Sequence, residues 1–152
     1  ESRGVYHPDW GVSLAWSSPG GSFHETLSDG GGIDITAYQV VAFRLMQRHD
    51  DPRNVGGEVD LHVQLVDDKG TVASVPLSAA PQGALRPNPA VGAGTPEKSV
   101  YETYRIPLSA FKTAAPALRM KRITELRWVL DLTASGAIVM DEVVLSHTGV
   151  CE

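Results

Sequence analysis

The chain has 152 residues, enough for one domain with its own core, so neither a metal nor a disulfide is needed to stabilise the fold. A formal net charge of −5 argues against nucleic acid as a ligand, because phosphate binding needs a surplus of Lys and Arg. No apolar run approaches the ~18–20 residues that cross a bilayer, which argues against a membrane partner.

Short segments with a period of two dominate the chain and predict β-strands. The first has Val12, Leu14 and Trp16 alternating with small or polar residues, and a Pro-Gly turn follows it. The turn Asp67-Asp68-Lys69-Gly70 predicts a hairpin, with both aspartates acting as plain turn residues. Together the patterns predict eight strands, at residues 12–17, 22–27, 39–49, 59–65, 71–77, 101–108, 123–131 and 137–146.

Two segments depart from the strand pattern. Residues 109–112 predict one helical turn, which Pro116 limits. Residues 79–99 are dense in Pro, Gly and Ala and predict a long loop rather than an interdomain linker, because neither half of the chain has enough strands to close a core. We therefore expect residues 1–152 to form a single all-β domain, a two-sheet antiparallel β-sandwich with jelly-roll topology.

The last predicted strand changes phase in its middle. Ile138 and Met140 share one parity, whereas Val143 and Leu145 share the other. A β-bulge at Asp141-Glu142 would place all four apolar side chains on the core side.

Four stretches have a recognisable order along the chain: Asp34-Ile35-Thr36-Ala37-Tyr38 followed by Val41-Ala42-Phe43-Arg44, Leu65-Val66-Asp67-Asp68-Lys69-Gly70, Tyr104-Arg105-Ile106-Pro107-Leu108-Ser109-Ala110-Phe111, and Ile138-Val139-Met140-Asp141-Glu142-Val143-Val144-Leu145. In this order they resemble the jelly-roll carbohydrate-binding modules and galactose-binding-like domains of secreted enzymes. The Tyr38 and Phe111 side chains are also expected to pack into the core at the ends of strands, and Pro107 is expected to mark a sheet edge.

The resemblance implies a secreted, non-catalytic module that binds a polysaccharide or oligosaccharide and lies beside a catalytic domain of the same, longer chain. It also implies one structural Ca²⁺ with Asp141 as a ligand, and a second ligand from the N-terminal segment, where Glu1 and Asp9 are the acidic residues. Related sandwiches also serve as accessory domains without a glycan ligand, and this alternative stays open.

Catalytic motifs are missing from the sequence, which argues against an enzyme. There is no G-x-S-x-G elbow and no His-x-His pair. Asp141 and Glu142 are adjacent, so their side chains are expected to point to opposite faces of the strand. The only cysteine, Cys151, is either a free thiol or half of a disulfide to a neighbouring domain.

A sugar site needs an aromatic surface for the apolar side of the ring and fixed polar groups for its hydroxyls. Tyr6 and Trp10 are the predicted exposed aromatics, Tyr101 is a further candidate beside Arg105, and Trp16 and Trp128 are predicted core residues. The polar groups are expected on the outer face of the central strands, if those strands are neighbours, at Arg44, His62, Gln64, Arg105 and Arg127.

The arginines of this polar row would suit an acidic glycan, because guanidinium groups bind carboxylates through two hydrogen bonds. The alternative is a solvated sheet face with cross-strand ion pairs from these cations to Asp60 or Glu125.

Overall fold

A computed structural model describes residues 11–28, 30–48, 51–54, 57–87 and 100–147. The strands are β1 (Val12–Trp16), β2 (Gly21–Thr26), β3 (Val40–Gln47), β4 (His62–Asp67), β5 (Val72–Pro76), β6 (Glu102–Pro107), β7 (Ile123–Leu130) and β8 (Gly136–Ser146). One helix, α1 (Leu108–Ala114), and a 3-10 turn at Leu77–Ala79 complete the described elements.

The strands form two antiparallel four-stranded sheets. Sheet I has the order β1-β8-β3-β6 and sheet II has the order β2-β7-β4-β5. Successive strands cross between the sheets at most connections, which gives a sandwich without long runs of sequential hairpins. The predicted all-β sandwich of eight strands is confirmed.

Alternate side chains of both sheets meet in one core. Trp128 of β7 is fully buried, and its ring lies 5.8 Å from the rings of Phe23 and Phe43. Tyr104 stacks on Phe43, also at 5.8 Å, and links the edge strand β6 to the centre of the core. Trp16 is buried with its Nε1 donating to the Thr133 carbonyl, so the predicted core positions of both tryptophans are confirmed.

The predicted β-bulge in the final strand is present. The register between β3 and β8 shifts between Ala42 and Arg44, and Glu142 has a positive φ of 49°. As a result, the side chains on both sides of the bulge face the core. Ile138 and Met140 belong to the core cluster, while Val143 and Leu145 pack against it.

The segment after β5 is more ordered than the loop predicted for residues 79–99. Ala79 belongs to the 3-10 turn, Ala80 and Leu85 are buried, and Leu85 forms a β-bridge with Val59. The buried Ala80 and Leu85 and the bridge to Val59 attach this part of the chain to the core. Residues 88–99 lie outside the described part.

The strand ends agree with the sequence expectations at three positions. Pro107 ends the edge strand β6, and Phe111 of α1 is completely buried. Tyr38 is half-buried against the core, and its ring lies 4.7 Å from the His147 ring at an angle of 31°. Within the described residues, no helix has the length and apolar character needed to cross a membrane.

Candidate functional site

The predicted polar row does not form one surface. Arg44 and Arg105 lie on β3 and β6 of sheet I, whereas His62, Gln64 and Arg127 lie on β4 and β7 of sheet II. The assumption that all these strands are neighbours is wrong, because the two groups face away from each other on opposite sides of the sandwich. Tyr6 and Trp10 lie outside the described residues.

The outer face of sheet II carries a polar network with its own internal partners. His24, Arg127, Gln64 and Ser74 form a row across all four strands. Arg127 Nε donates to Glu125 Oε2 at 2.7 Å, and this hydrogen bond is the main cause that lowers the pKa of Glu125. Glu125 is therefore an ion-pair partner on this face, but its arginine lies on the same strand, β7, rather than across from it as predicted.

Further contacts complete the sheet II network. His62 Nδ1 lies 2.9 Å from an Asp131 oxygen, and Gln64 Nε2 donates to Ser74 Oγ at 3.3 Å. Asp60, the other predicted partner, instead accepts the backbone N–H groups of Leu61 and Ser78. Among the described residues, no Phe, Tyr or Trp side chain belongs to the rows of this outer face.

The outer face of sheet I combines charge with exposure around the bulge. Arg44 lies opposite Asp141 on β8 and opposite Thr103 on β6. Arg44 Nε is 2.9 Å from Glu142 Oε2, and its side chain remains 46% exposed. Because Glu142 occupies the bulge, both adjacent carboxylates reach the same face. The expectation that Asp141 and Glu142 point apart is wrong for this reason.

Tyr101 supplies the aromatic side chain of the sheet I face. It precedes β6 with the same parity as Thr103 and Arg105, and a β-carbon at Gly11 would lie 3.2 Å from its hydroxyl oxygen. Burial raises the pKa of Tyr101, and the Asp141 carboxylate raises it further, whereas Arg44 acts in the opposite direction. The phenol therefore stays protonated and can donate a hydrogen bond.

The predicted calcium ligand Asp141 lies among few oxygen donors. Its Oδ1 accepts the Glu142 N–H, and its cross-strand neighbour is the cation Arg44. Calcium takes about six to eight oxygen ligands. No group of three or more His, Cys, Asp or Glu side chains suited to a metal occurs in the described residues. They do not fit the ion by themselves, so calcium stays a prediction; Glu1 and Asp9 lie outside them.

Tyr101, Arg44, Asp141 and Glu142 thus form the candidate site, which we call the sheet I site. Its ring offers an apolar surface, and the guanidinium and carboxylates offer donors and acceptors for hydroxyl groups. Sequence reasoning named Arg44 and Tyr101 as site candidates and proposed Asp141 as a calcium ligand. It missed Glu142, although the phase break at the bulge was the signal that could have placed it.

Comparison with solved structures supports the fold assignment. The chain superposes on the family 30 carbohydrate-binding module of the cellulosomal cellulase Cel9D-Cel44B of Clostridium thermocellum with a TM-score of 0.66 and 11% identity, covering 92% of this chain and 76% of that one. For the family 11 carbohydrate-binding module of the same organism, in complex with a β-1,3-1,4-mixed-linked tetrasaccharide, the TM-score is 0.56 and the identity 13%, covering 91% and 76%. No family model and no curated protein sequence matches the chain. The chain therefore has the jelly-roll fold of these modules.

Proposed function

We propose that this domain is a non-catalytic carbohydrate-binding module whose sheet I site binds a glycan chain. The observation that carries the proposal is the combination of the partly exposed Tyr101 with the Arg44–Glu142 ion pair on one sheet face. A sugar ring can pack its C–H side on the phenol ring while its hydroxyls bond to the charged groups. The proposal includes a secreted parent protein with a catalytic domain.

The ligand that we propose first is a β-1,3-1,4-linked glucan. A fold neighbour holds a tetrasaccharide of this linkage, and the chain superposes on most of that neighbour. The sheet I site pairs its cation with Glu142 and adds a second carboxylate, Asp141, so it has no surplus of positive charge. A neutral glycan suits such a site better than an acidic one.

We expect Tyr101→Ala to weaken binding of mixed-linked β-glucan about tenfold, or about 1.4 kcal/mol, because the apolar surface for the sugar ring is lost. Tyr101→Phe keeps the ring and should lose only the contribution of the hydroxyl. Affinity electrophoresis and titration calorimetry with the soluble glucan measure both. Equal binding by the wild-type protein and Tyr101→Ala would remove Tyr101 from the site.

A matched pair of arginine variants tests which face binds. Arg44 on sheet I and Arg127 on sheet II each form an Nε–Oε2 ion pair with a glutamate, at 2.9 and 2.7 Å. Arg44→Ala should weaken glucan binding severalfold, whereas Arg127→Ala should leave it unchanged. The reverse result would move the site to the sheet II face. Release of reducing ends from the glucan would contradict the non-catalytic assignment.

The competing function is an accessory sandwich that packs on its own catalytic domain. Such a role predicts a large continuous apolar patch. The exposed large apolar side chains of the described residues are instead spread over both sheets and the loops, at Val12, Val72, Val100, Leu132 and Val144. Failure of the protein to bind any member of a panel of polysaccharides would favour this second function.

A further inference from the structure

A second surface, distinct from the sheet I site, concentrates positive charge. A groove of about 610 Å³ lies at the end of the sandwich, lined by Thr36, Lys112 and residues 117–122. Its lining includes four cations, Lys112, Arg119, Lys121 and Arg122. The whole chain has 13 Lys and Arg residues and a net charge of −5, so positive charge is concentrated in this groove. Its volume falls within the ~300–1,000 Å³ typical of ligand pockets.

The basic segment that lines the groove is held in place by its backbone. Arg119 N donates to the buried Asp67 carboxylate at 3.0 Å, and Asp68 N donates to the Arg122 carbonyl at 2.9 Å. Ile35 N donates to the Met120 carbonyl, and Leu118 is buried beneath the segment. The cations are therefore attached to a fixed backbone, which reduces the ordering cost of binding.

Two of the four cations have neutral partners. Lys112 Nζ donates to the carbonyls of Pro116 and Leu118, and Arg122 Nη1 donates to the carbonyl of Gly31 at 2.9 Å. Backbone carbonyls orient a cation without cancelling its charge. Each of these side chains therefore keeps a positive charge at a defined place beside the groove.

Carboxylates neutralise only part of the positive charge of the four cations. Arg119 Nη1 donates to Asp68 Oδ1 at 2.7 Å. Hydrogen bonds from Thr36 lower the pKa of Asp34, and Lys121 acts in the same direction. Among the described residues, these two carboxylates and that of Asp67, which accepts from Arg119 N, stand against the four cations and leave one excess positive charge at this end of the sandwich.

We infer that this basic groove binds the carboxylate groups of an acidic polysaccharide. Alongside its cations the groove offers the exposed side chain of Ala117 and the partly exposed side chain of Met120. A polyuronate chain presents both features that match this lining, a carboxylate on each sugar and the apolar side of each ring. The inference goes beyond the proposed glucan function and does not depend on it.

The test compares two charge reversals of the same size. Lys121→Glu changes an exposed residue in the groove. Arg86→Glu changes an exposed residue at the other end of β3. The neighbouring Leu85 carbonyl accepts a hydrogen bond there from Gln47, the last residue of β3. We expect Lys121→Glu to weaken binding of oligogalacturonate at low salt about tenfold, and Arg86→Glu by less than about twofold. Titration calorimetry measures both affinities.

Three further measurements identify what the groove recognises. In the wild-type protein, oligogalacturonate binding should fall steeply with added NaCl, and neutral β-glucan binding should not. Lys121→Glu should bind the neutral glucan normally, which separates this inference from the sheet I site. Poly-L-glutamate and inorganic sulfate should compete only weakly.

Several outcomes would overturn the inference. They are equal losses in Lys121→Glu and Arg86→Glu, no binding of oligogalacturonate by the wild-type protein at low salt, or equally tight binding of poly-L-glutamate. Strong competition by inorganic sulfate would reduce the groove to a site for small anions. Chemical-shift changes at residues 117–122 of the wild-type protein provide a readout that needs no variant.

Discussion

Replacing Asp67 by alanine is expected to lower the free energy of unfolding by about 3 to 4 kcal/mol. The residue is 2% exposed, and its carboxylate accepts three backbone N–H groups. Oδ1 accepts from Lys69 and Thr71 at 2.9 Å, and Oδ2 accepts from Arg119 at 3.0 Å. Alanine would leave these donors without their partner, in the turn between β4 and β5 and in the basic segment.

The neighbouring Asp68 provides the matched control. It lies in the same turn, but its side chain is 18% exposed, and its carboxylate forms an ion pair with the Arg119 side chain, which is 41% exposed. Asp68→Ala should therefore cost only about 0.5 kcal/mol. Urea unfolding of the two variants measures the difference. Equal destabilisation would show that the buried hydrogen bonds of Asp67 contribute little to stability.

The contribution of Asp67 should also depend on pH. Burial alone would raise the pKa of Asp67, but the backbone hydrogen bonds from Thr71, Arg119 and Lys69 outweigh burial and lower the pKa of this carboxyl below its usual range. A lowered folded-state pKa adds stability above the unfolded pKa of about 3.9, and this stability is lost as the pH falls through the folded value. The difference between the wild-type protein and Asp67→Ala should therefore shrink below about pH 4.

The strands could be predicted from the sequence because their information is local. Alternation of apolar and polar residues marks a half-buried strand wherever it occurs, and eight such segments became β1 to β8. The bulge in β8 was predictable for the same reason, since the phase break between Met140 and Val143 is visible within a few residues. Local patterns also predicted the turn role of Asp67.

The candidate site was less predictable because strand pairing is a long-range property. Arg44 and His62 both alternate with buried residues and both point outward, yet β3 belongs to sheet I and β4 to sheet II. In a sandwich, the outward sides of the two sheets are opposite surfaces, so outward parity alone does not bring two residues together.

The basic groove could not be predicted from the sequence for a different reason. Arg119, Lys121 and Arg122 are close in sequence, but Lys112 joins them only because α1 ends just before this segment. Thr36 reaches the groove through the hydrogen bond from Ile35 to Met120. A basic run in a loop is the available sequence signal. Its partners become known only once the fold has been determined.

Gly32→Ala is expected to be the second large effect, with a loss of about 3 kcal/mol of stability. Gly32 has a φ of +71°, which costs a side chain about 1 kcal/mol. A β-carbon there would also overlap the backbone carbonyl and α-carbon of Arg122. The neighbouring bridge between Ile33 and Ile123 keeps the two backbones close, so relief requires one of them to move.

Gly83→Ala separates the two causes of this loss. Gly83 has nearly the same φ, +77°, but a β-carbon there would meet no atom within 4 Å. It should therefore lose only the conformational cost of about 1 kcal/mol, measured by urea unfolding alongside Gly32→Ala. Similar losses in both variants would show that the Arg122 backbone yields easily. A larger loss in Gly32→Ala would mean that its folded form displaces the Arg122 backbone at a cost, and oligogalacturonate binding should then weaken in Gly32→Ala and stay normal in Gly83→Ala.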